Sequence, residues 1–191
     1  MVRTTRQTGR HATRADGGLT LVELLVVLAV AAVLLQAATL SFAAWLQRQH
    51  LLGVSAQFNA DLQSLRAAAV TRHRILRLSF QDTPAGMCYL LHSGDVDACR
   101  CAADPQSEPQ VRCMAGTELL RAALVPVSRR IRLQSNVASL RIDPRHGTVT
   151  PTGSIDVPTT DGSSALRHVV NILGRVRTCA PGPRFTGYSA C

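Results

Sequence analysis

The sequence predicts an α+β protein in which a long N-terminal helix packs on a C-terminal antiparallel β-domain. Apolar residues fill most of the segment 19–46, and apolar positions then recur three or four residues apart as far as residue 69. From residue 74 onward the pattern changes to the two-residue alternation of half-buried strands, separated by proline and glycine turns. With 191 residues, the chain has room for one such domain and one extra element.

Charge is distributed unevenly along the chain. All 21 basic residues are arginines, and with 12 acidic residues they give a net charge of +9. Residues 48–120 hold seven arginines and seven acids, whereas residues 121–191 hold ten arginines and three acids. A local excess of this size suits a polyanion such as nucleic acid or an anionic lipid surface. The hydrophobic fraction of 46% excludes a disordered chain, and the apolar segment argues against a cytosolic soluble enzyme.

The first 46 residues divide into a basic leader and an apolar segment. Residues 1–18 contain four arginines and end in two glycines, and the only ionisable side chain in residues 19–46 is that of Glu23. Since about 20 apolar residues cross a bilayer as a helix, residues 19–46 are predicted to span a membrane, with the N-terminus in the cytoplasm. The alternative is a cleaved secretory signal, against which the carboxylate of Glu23 argues, because such a group inside a membrane helix is costly.

The same helix is predicted to continue as an amphipathic half over residues 47–73, so that one helix runs from about residue 20 to about residue 72. A β-rich domain follows over residues 74–191. The helix face expected to pack under this domain is apolar and consists of Leu51, Val54, Phe58, Leu62, Leu65 and Ala69.

The six residues from Gly18 to Glu23, Gly-Leu-Thr-Leu-Val-Glu, follow the basic leader and open the apolar run. They resemble the type III signal sequence of type IV pilins and type II secretion pseudopilins. The resemblance implies a pilin-like fold, cleavage after Gly18 by a prepilin peptidase, and methylation of the new N-terminus at Leu19, where the family often has phenylalanine. It also implies that Glu23 serves assembly with other major and minor pilins.

Physical chemistry gives Glu23 a similar role independently of the resemblance. Once Leu19 is freed, its α-amino group is a cation near the apolar phase, and the carboxylate of a neighbouring subunit would neutralise it. The alternative is that the carboxylate of Glu23 only interacts favourably with the positive end of the helix dipole, or extends toward the polar headgroups.

Two arginines alternate near the C-terminus, in Gly174-Arg175-Val176-Arg177. In a strand both side chains point the same way, and guanidinium groups bind phosphate oxygens bidentately. The alternative is an edge strand that charge keeps soluble. Together with the leader and the segment 143–148, Asp-Pro-Arg-His-Gly-Thr, this motif resembles the FimT/GspH group of minor pilins and pseudopilins.

The FimT branch implies DNA binding during natural transformation through Gly174, Arg175 and Arg177, with Arg184 expected nearby. The predicted function is therefore that of a minor pilin that binds DNA phosphates without sequence specificity. The alternative, implied by the GspH branch, is a structural minor pseudopilin of a type II secretion system with no DNA binding. Either protein would be a single-pass inner-membrane protein with a periplasmic C-terminal domain, assembled into a filament.

All six cysteines follow the apolar segment, which predicts disulfides in an oxidising compartment: Cys88, Cys99, Cys101, Cys113, Cys179 and Cys191. One pairing is predicted, Cys179 with Cys191, which closes a short loop and brings Arg184 toward Arg175. Cys99 and Cys101 are too close in sequence to pair with each other.

Other chemistry is disfavoured. Zinc bound by His92 with Cys99, Cys101 and Cys113 conflicts with their irregular spacing. No nucleophile elbow, metal-binding helix motif or phosphate loop occurs in the sequence, so no catalytic residue, cofactor or metal is predicted.

Two further groups of residues admit both a functional and a structural interpretation. The aromatic rings of Phe185 and Tyr188 suit stacking on bases as well as core packing. A second basic cluster, formed by Arg129, Arg130 and Arg132, is predicted to be a solvated face.

Overall fold

The computed structural model describes residues 20–102, 109–182 and 185–191, without the side chains of residues 37–41. The chain divides into two compact units, Met1–Phe42 and Ala43–Cys191. Helix α1 runs over Leu21–Thr71, within one residue at each end of the range expected from sequence. Among the described residues, no helix combines the length and the apolar character that crossing a membrane requires.

Both ends of α1 have local sequence causes. At the start, the hydroxyl of Thr20 accepts a hydrogen bond from the backbone N–H of Glu23 at 3.3 Å, which is an N-cap. At the end, the N–H of His73 bonds to the carbonyl of Val70 and that of Arg74 to the carbonyl of Ala69, at 3.3 and 3.2 Å. This is a Schellman motif, and His73 takes the left-handed conformation that it requires, with φ of 51°.

Eleven strands follow α1 in the described part of the chain. In chain order they are β1 (Leu76–Thr83), β2 (Gly86–His92), β3 (Cys99–Ala102), β4 (Gln110–Cys113), β5 (Leu119–Pro126), β6 (Gln134–Ser135), β7 (Ser139–Ile142), β8 (Val149–Thr150), β9 (Gly153–Pro158), β10 (Ala165–Val170) and β11 (Val176–Cys179). They form a five-stranded sheet in the order β5-β2-β1-β7-β8, a four-stranded sheet in the order β11-β10-β9-β6, and the hairpin β3-β4. Every pairing between these strands is antiparallel, so the α+β prediction is confirmed.

The apolar face of α1 supplies one side of the core of the unit 43–191. Five of the six residues expected on that face are buried, and Val54 is partly buried. They join one cluster with residues of both large sheets, among them Leu78 and Leu140 of the five-stranded sheet and Ile155 and Leu166 of the four-stranded sheet. Burial of these side chains is the main force that holds the helix on the domain.

A buried carboxylate also ties α1 to the five-stranded sheet. Asp61, 3% exposed, accepts a hydrogen bond from the Tyr89 hydroxyl at 2.8 Å and one from Gln57 at 2.9 Å, and Arg121 lies 3.2 Å away as its counter-ion. Burial first, and then the hydrogen bond to Asp61, raise the pKa of Tyr89. The phenol therefore stays protonated and keeps donating at any physiological pH.

The hairpin β3-β4 was not expected from sequence, because both strands are short and carry cysteines and arginines in place of regular apolar positions. Disulfides join Cys88 to Cys101 and Cys99 to Cys113, so the hairpin is linked covalently to β2. Because Cys99, Cys101 and Cys113 are all in disulfides, none of them is a free thiol that could bind zinc.

Candidate nucleic-acid interface

The turn between β10 and β11 carries the arginine motif. The N–H of Gly174 bonds to the carbonyl of Asn171 at 2.9 Å, and the N–H of Arg175 bonds to the side-chain oxygen of Asn171, also at 2.9 Å. Gly174 has φ of +70°, a conformation that glycine adopts without strain. Asn171 and Gly174 therefore define the turn, and β11 begins directly after Arg175.

Arg175 and Arg177 are exposed, while Val176 between them is partly buried. Arg177 lies within β11, an edge strand of the four-stranded sheet, and Arg175 directly precedes that strand. Because side chains two residues apart along extended backbone project to the same side, the two arginines face the same way. Neither side chain forms an ion pair or a hydrogen bond with any described residue. The two guanidinium groups are thus presented to solvent from the start of a fixed strand and the residue that precedes it.

A helix residue that the sequence analysis did not single out fixes this turn. Arg66 donates a hydrogen bond from Nε to the carbonyl of Gly147 at 2.8 Å, and its NH1 lies 3.4 Å from the carbonyl of Gly174. Gly174 is buried, and a Cβ atom built on it would lie 2.8 Å from Cδ of Arg66. Glycine is needed at position 174 both for its backbone conformation and for the space that Arg66 fills.

Arg66 also brings the segment 143–148 next to the arginine motif. In that segment the carboxylate of Asp143 accepts the N–H groups of Arg145 and His146 at 2.9 and 3.3 Å. These backbone bonds, the one from Arg145 foremost, lower the pKa of Asp143, so it stays ionised and holds the turn. Arg145 and His146 are exposed. The two segments that carried the family resemblance therefore form neighbouring turns.

A backbone bond supports the same arrangement, since the N–H of Val149 donates to the carbonyl of Ile172 at 2.9 Å. It links β8, at the edge of the five-stranded sheet, to the β10–β11 turn. The exposed side chains of Arg145 and Arg175 thus come from two turns joined both by Arg66 and by this bond.

A buried histidine anchors β10 and β11 to the helix. His168, 1% exposed, lies 2.8 Å from the hydroxyl of Ser55 through Nε2 and 2.9 Å from that of Thr178 through Nδ1. Burial lowers the pKa of His168 to about 4, and the negative charge of Asp156 opposes that shift only weakly. The ring is neutral at physiological pH and bridges α1 to the strand that holds Arg177.

Little of the positive charge in residues 121–191 is neutralised inside the structure. Each of its three acids already accepts hydrogen bonds within the structure. Asp143 accepts them within its own turn, and Asp156 accepts two from guanidinium nitrogens of Arg167 at 2.6 and 2.9 Å. Asp161 accepts hydrogen bonds from Ser163 and Gln47. Of the arginines described in this half, only Arg121 and Arg167 form ion pairs with carboxylates. The remaining arginines described there carry uncompensated charge.

In the C-terminal loop, the ring of Phe185 packs in the core and is not available for stacking on a base. A disulfide joins Cys179 to Cys191, the pairing that the sequence analysis expects. Phe185 is 8% exposed and belongs to the main core, and its ring packs edge-on against Tyr188 at 5.6 Å. The guanidinium of Arg48 lies 4.9 Å from the ring centre of Phe185. Phe185 is thus a core residue that cannot stack on a base.

Several predicted site residues lie elsewhere. Gly18, Leu19 and Arg184 are outside the described residues. Glu23 lies in the first turn of α1, with its side chain exposed.

A family model for the type II transport protein GspH matches residues 55–174, well over half of the chain. The chain belongs to the GspH family. A second model, the prokaryotic N-terminal methylation motif, matches residues 13–38, which include Gly18, Leu19 and Glu23. This GspH-family chain is therefore a subunit of the pilin and pseudopilin class and not an enzyme. The methylation motif implies processing by a prepilin peptidase and assembly with other pilins.

One solved structure supports the fold. The crystal structure of the type IV minor pilin FimU of Pseudomonas aeruginosa superposes with a TM-score of 0.51 at 17% identity, covering 74% of this chain and 99% of FimU. The minor pseudopilin EpsH from the type 2 secretion system of Vibrio cholerae gives a TM-score of 0.47 at 14% identity, covering 69% of this chain and 98% of EpsH. No curated protein matches this chain significantly.

The residues that hold the site carry no local sequence signal. Arg66, Ser55 and His168 bind partners 81 to 113 positions away, and no local pattern marks such contacts. Arg145 carried a usable signal, because it lies in the segment 143–148 that supported the family resemblance.

Proposed function

We propose that this chain is a minor pilin that binds DNA through the phosphate backbone, without sequence specificity, during DNA uptake in natural transformation. The observation that carries the proposal is the pair Arg175 and Arg177, exposed on one side of an edge strand and free of acidic partners among the described residues. Arginines at alternate strand positions are about 7 Å apart, which suits successive phosphates of one strand.

The contacts that hold these two arginines in place favour a role in phosphate binding over the alternative, an edge strand that charge keeps soluble. Arg66 and His168 hold the turn and the strand from the helix side, so little conformational entropy is lost when the backbone meets a ligand. Arg145, on the neighbouring turn, adds a third cation, and Arg184 belongs to the same proposed set. Such contacts position a protein on DNA but do not read bases.

The N-terminal part completes the proposal. A prepilin peptidase cleaves after Gly18 and the new N-terminus at Leu19 is methylated, which the methylation-motif match supports. Residues 19–46 then anchor the chain in the inner membrane, with the N-terminus cytoplasmic and the domain periplasmic, until assembly. Glu23 pairs with the α-amino group of a neighbouring subunit in the filament.

A mobility-shift assay with the detergent-solubilised full chain tests DNA binding. Two unrelated duplexes are compared at about 50 and 200 mM salt, since phosphate contacts make affinity fall steeply with salt. We expect equal binding of both duplexes, and Arg175→Gln/Arg177→Gln should lower the salt slope by roughly 2. The matched control is Arg100→Gln/Arg112→Gln, which removes the same charge from two exposed arginines paired across β3 and β4.

The alternative is a structural minor pseudopilin of a type II secretion system, to which the family description points. It predicts no retention of either duplex by the unaltered chain, or equal effects of the two double variants. Either result would remove the DNA-binding proposal and leave the structural role.

A further inference from the structure

A cleft of about 310 Å³ lies between α1 and the turn that follows β5, far from the arginine motif along the helix. One wall is helical and changes from apolar to polar, with Ala43 and Leu46 followed by Gln47 and His50. The other wall is cationic and carries Arg129 and Arg130. The cleft is thus apolar on one side and positively charged on the other.

The backbone of the cationic wall is fixed, while its side chains are not engaged. Arg130 takes a left-handed conformation with φ of 56°, uncommon for a residue with a side chain, and its N–H bonds to the carbonyl of Val127 at 3.0 Å. Its carbonyl accepts the N–H of Thr160 at 2.9 Å. Within the described chain, the exposed side chains of Arg129 and Arg130 form no ion pair or hydrogen bond.

The neighbouring cation Arg48 already makes contacts within the protein. Arg48, on the same stretch of helix, donates a hydrogen bond to the carbonyl of Thr186 at 3.0 Å and lies over the ring of Phe185. The pair 129–130 is therefore the uncommitted positive charge at this cleft.

The cleft also differs in place from the proposed DNA interface. Leu46 lines the cleft and Arg66 holds the arginine motif, and at 1.5 Å per residue they are about 30 Å apart along α1. This separation is nearly four Debye lengths at physiological ionic strength, where the Debye length is about 8 Å, so the two sets of cations do not act on one small ligand.

We propose that this cleft binds the headgroup phosphate of an anionic phospholipid in the membrane from which the subunit is assembled. The inference rests on the proposed membrane span of residues 19–46, because the cleft begins at the last residues of that segment. Arg129 and Arg130 contact the phosphate, and the first acyl carbons lie along Ala43 and Leu46. His50 and the amide oxygen of Gln47, whose amide nitrogen donates to Asp161, contact the glycerol or headgroup hydroxyls. The bound lipid holds the domain close to the bilayer surface before the subunit leaves it.

The test uses the full chain in neutral detergent, titrated with short-chain phosphatidylglycerol or phosphatidylcholine and followed by thermophoresis. Two arginines near a lipid surface favour the anionic lipid by about 30-fold. Arg129→Gln/Arg130→Gln should abolish this preference, while Arg100→Gln/Arg112→Gln should retain it. Circular dichroism melting of each variant checks that the fold is intact.

The proposal would be overturned by equal affinity for both lipids, by an unchanged preference in the 129/130 variant, or by equally effective competition from inorganic phosphate. Competition by duplex DNA at this cleft would also overturn it, in favour of a second contact for the polyanion. A separate experiment tests the premise that residues 19–46 span the membrane. If they do not, alkaline carbonate should release the full chain from membranes. That release does not depend on Arg129 or Arg130.

Discussion

The side chain of Arg66 fills the space that a Cβ atom on residue 174 would need. Such an atom would lie 2.8 Å from Cδ and 2.9 Å from Cζ of Arg66, well inside normal contact distance. The same guanidinium group faces the carbonyls of Gly147 and Gly174. The helix therefore sets the position of the turn before Arg175, and the glycine of the motif packs against Arg66.

Gly174→Ala should destabilise the domain more than Gly162→Ala does. The two glycines have φ of +70° and +71°, but nothing lies within 4 Å of a Cβ on Gly162. Gly162→Ala should therefore lose only the free energy of placing a side chain on left-handed backbone, about 1 to 2 kcal/mol. Gly174→Ala should lose that amount and, in addition, roughly 1 to 3 kcal/mol from overpacking against Arg66. Urea unfolding of both variants measures the difference. Equal losses would mean that Arg66 moves aside freely.

Removing Arg66 should relieve the cost of Gly174→Ala. In a double-mutant cycle with Arg66→Ala, we expect the two changes to be non-additive by about 0.5 to 3 kcal/mol, because the guanidinium that clashes is gone. Unfolding free energies of the four proteins give this coupling. Additivity within about 0.3 kcal/mol would contradict the contact.

The main architecture was predictable because it depends on local periodicity. The helix face from Leu51 to Ala69 repeats every three or four residues, and the alternation around Leu76 and Leu78 marks the first strand. The exposed side shared by Arg175 and Arg177 follows from the same two-residue period. Each of these patterns is contained in a short window of sequence.

The rest depends on contacts between distant residues. Nothing in the sequence near Ser55 indicates that its hydroxyl meets His168, and nothing near Arg66 indicates Gly174. Phe185 was ambiguous for a related reason, since an aromatic residue beside a basic motif looks the same whether its ring enters the core or faces solvent. Only the fold shows that it packs in the core.

Loss of the C-terminal disulfide should destabilise the domain. Cys179 and Cys191 close a loop with a sequence separation of 12, and a loop of that size contributes about 2 to 4 kcal/mol. We expect Cys179→Ala/Cys191→Ala to lower the melting temperature and to weaken DNA binding, because β11 ends at Cys179. Calorimetry and the mobility-shift assay measure the two effects.

The control for that experiment is Cys88→Ala/Cys101→Ala, which opens a loop of similar size, with a separation of 13, on the other sheet. It should cost similar stability and leave DNA binding unchanged. Equal weakening of DNA binding by both double variants would mean that general destabilisation, and not the position of β11, decides binding.

Glu23→Gln should impair filament assembly without impairing cleavage. Glutamine keeps the Thr-x-x-Glu/Gln capping pattern at the helix start but removes the negative charge that neutralises a neighbouring α-amino group. Mass spectrometry checks that the leader is removed, and the amount of subunit in sheared filaments measures incorporation. Glu118→Gln, at an exposed carboxylate paired with Arg72, is the control. Normal incorporation of the Glu23 variant would show that the carboxylate only caps the helix.

Acidification should unfold the domain partly through His168. Its pKa is about 4 in the folded protein against 6.5 when exposed, so the unfolded chain binds a proton that the folded one excludes. The stability linked to this group is complete above pH 6.5 and falls as the pH drops toward 4. From pH 7.5 to 5 the loss is about 2 kcal/mol. Burial also lowers the pKa of His92, which adds a loss of the same sign.

Urea unfolding at those two pH values measures the effect in the unaltered chain, in His168→Gln and in His146→Gln, whose exposed ring serves as the control. The slope with pH should shrink in His168→Gln and persist in His146→Gln, whatever the starting stability of each variant. Because Ser55 and Thr178 bind the two ring nitrogens, protonation removes an acceptor and loosens β11 from the helix. An unchanged slope in His168→Gln would show that the ring reaches water in the folded state.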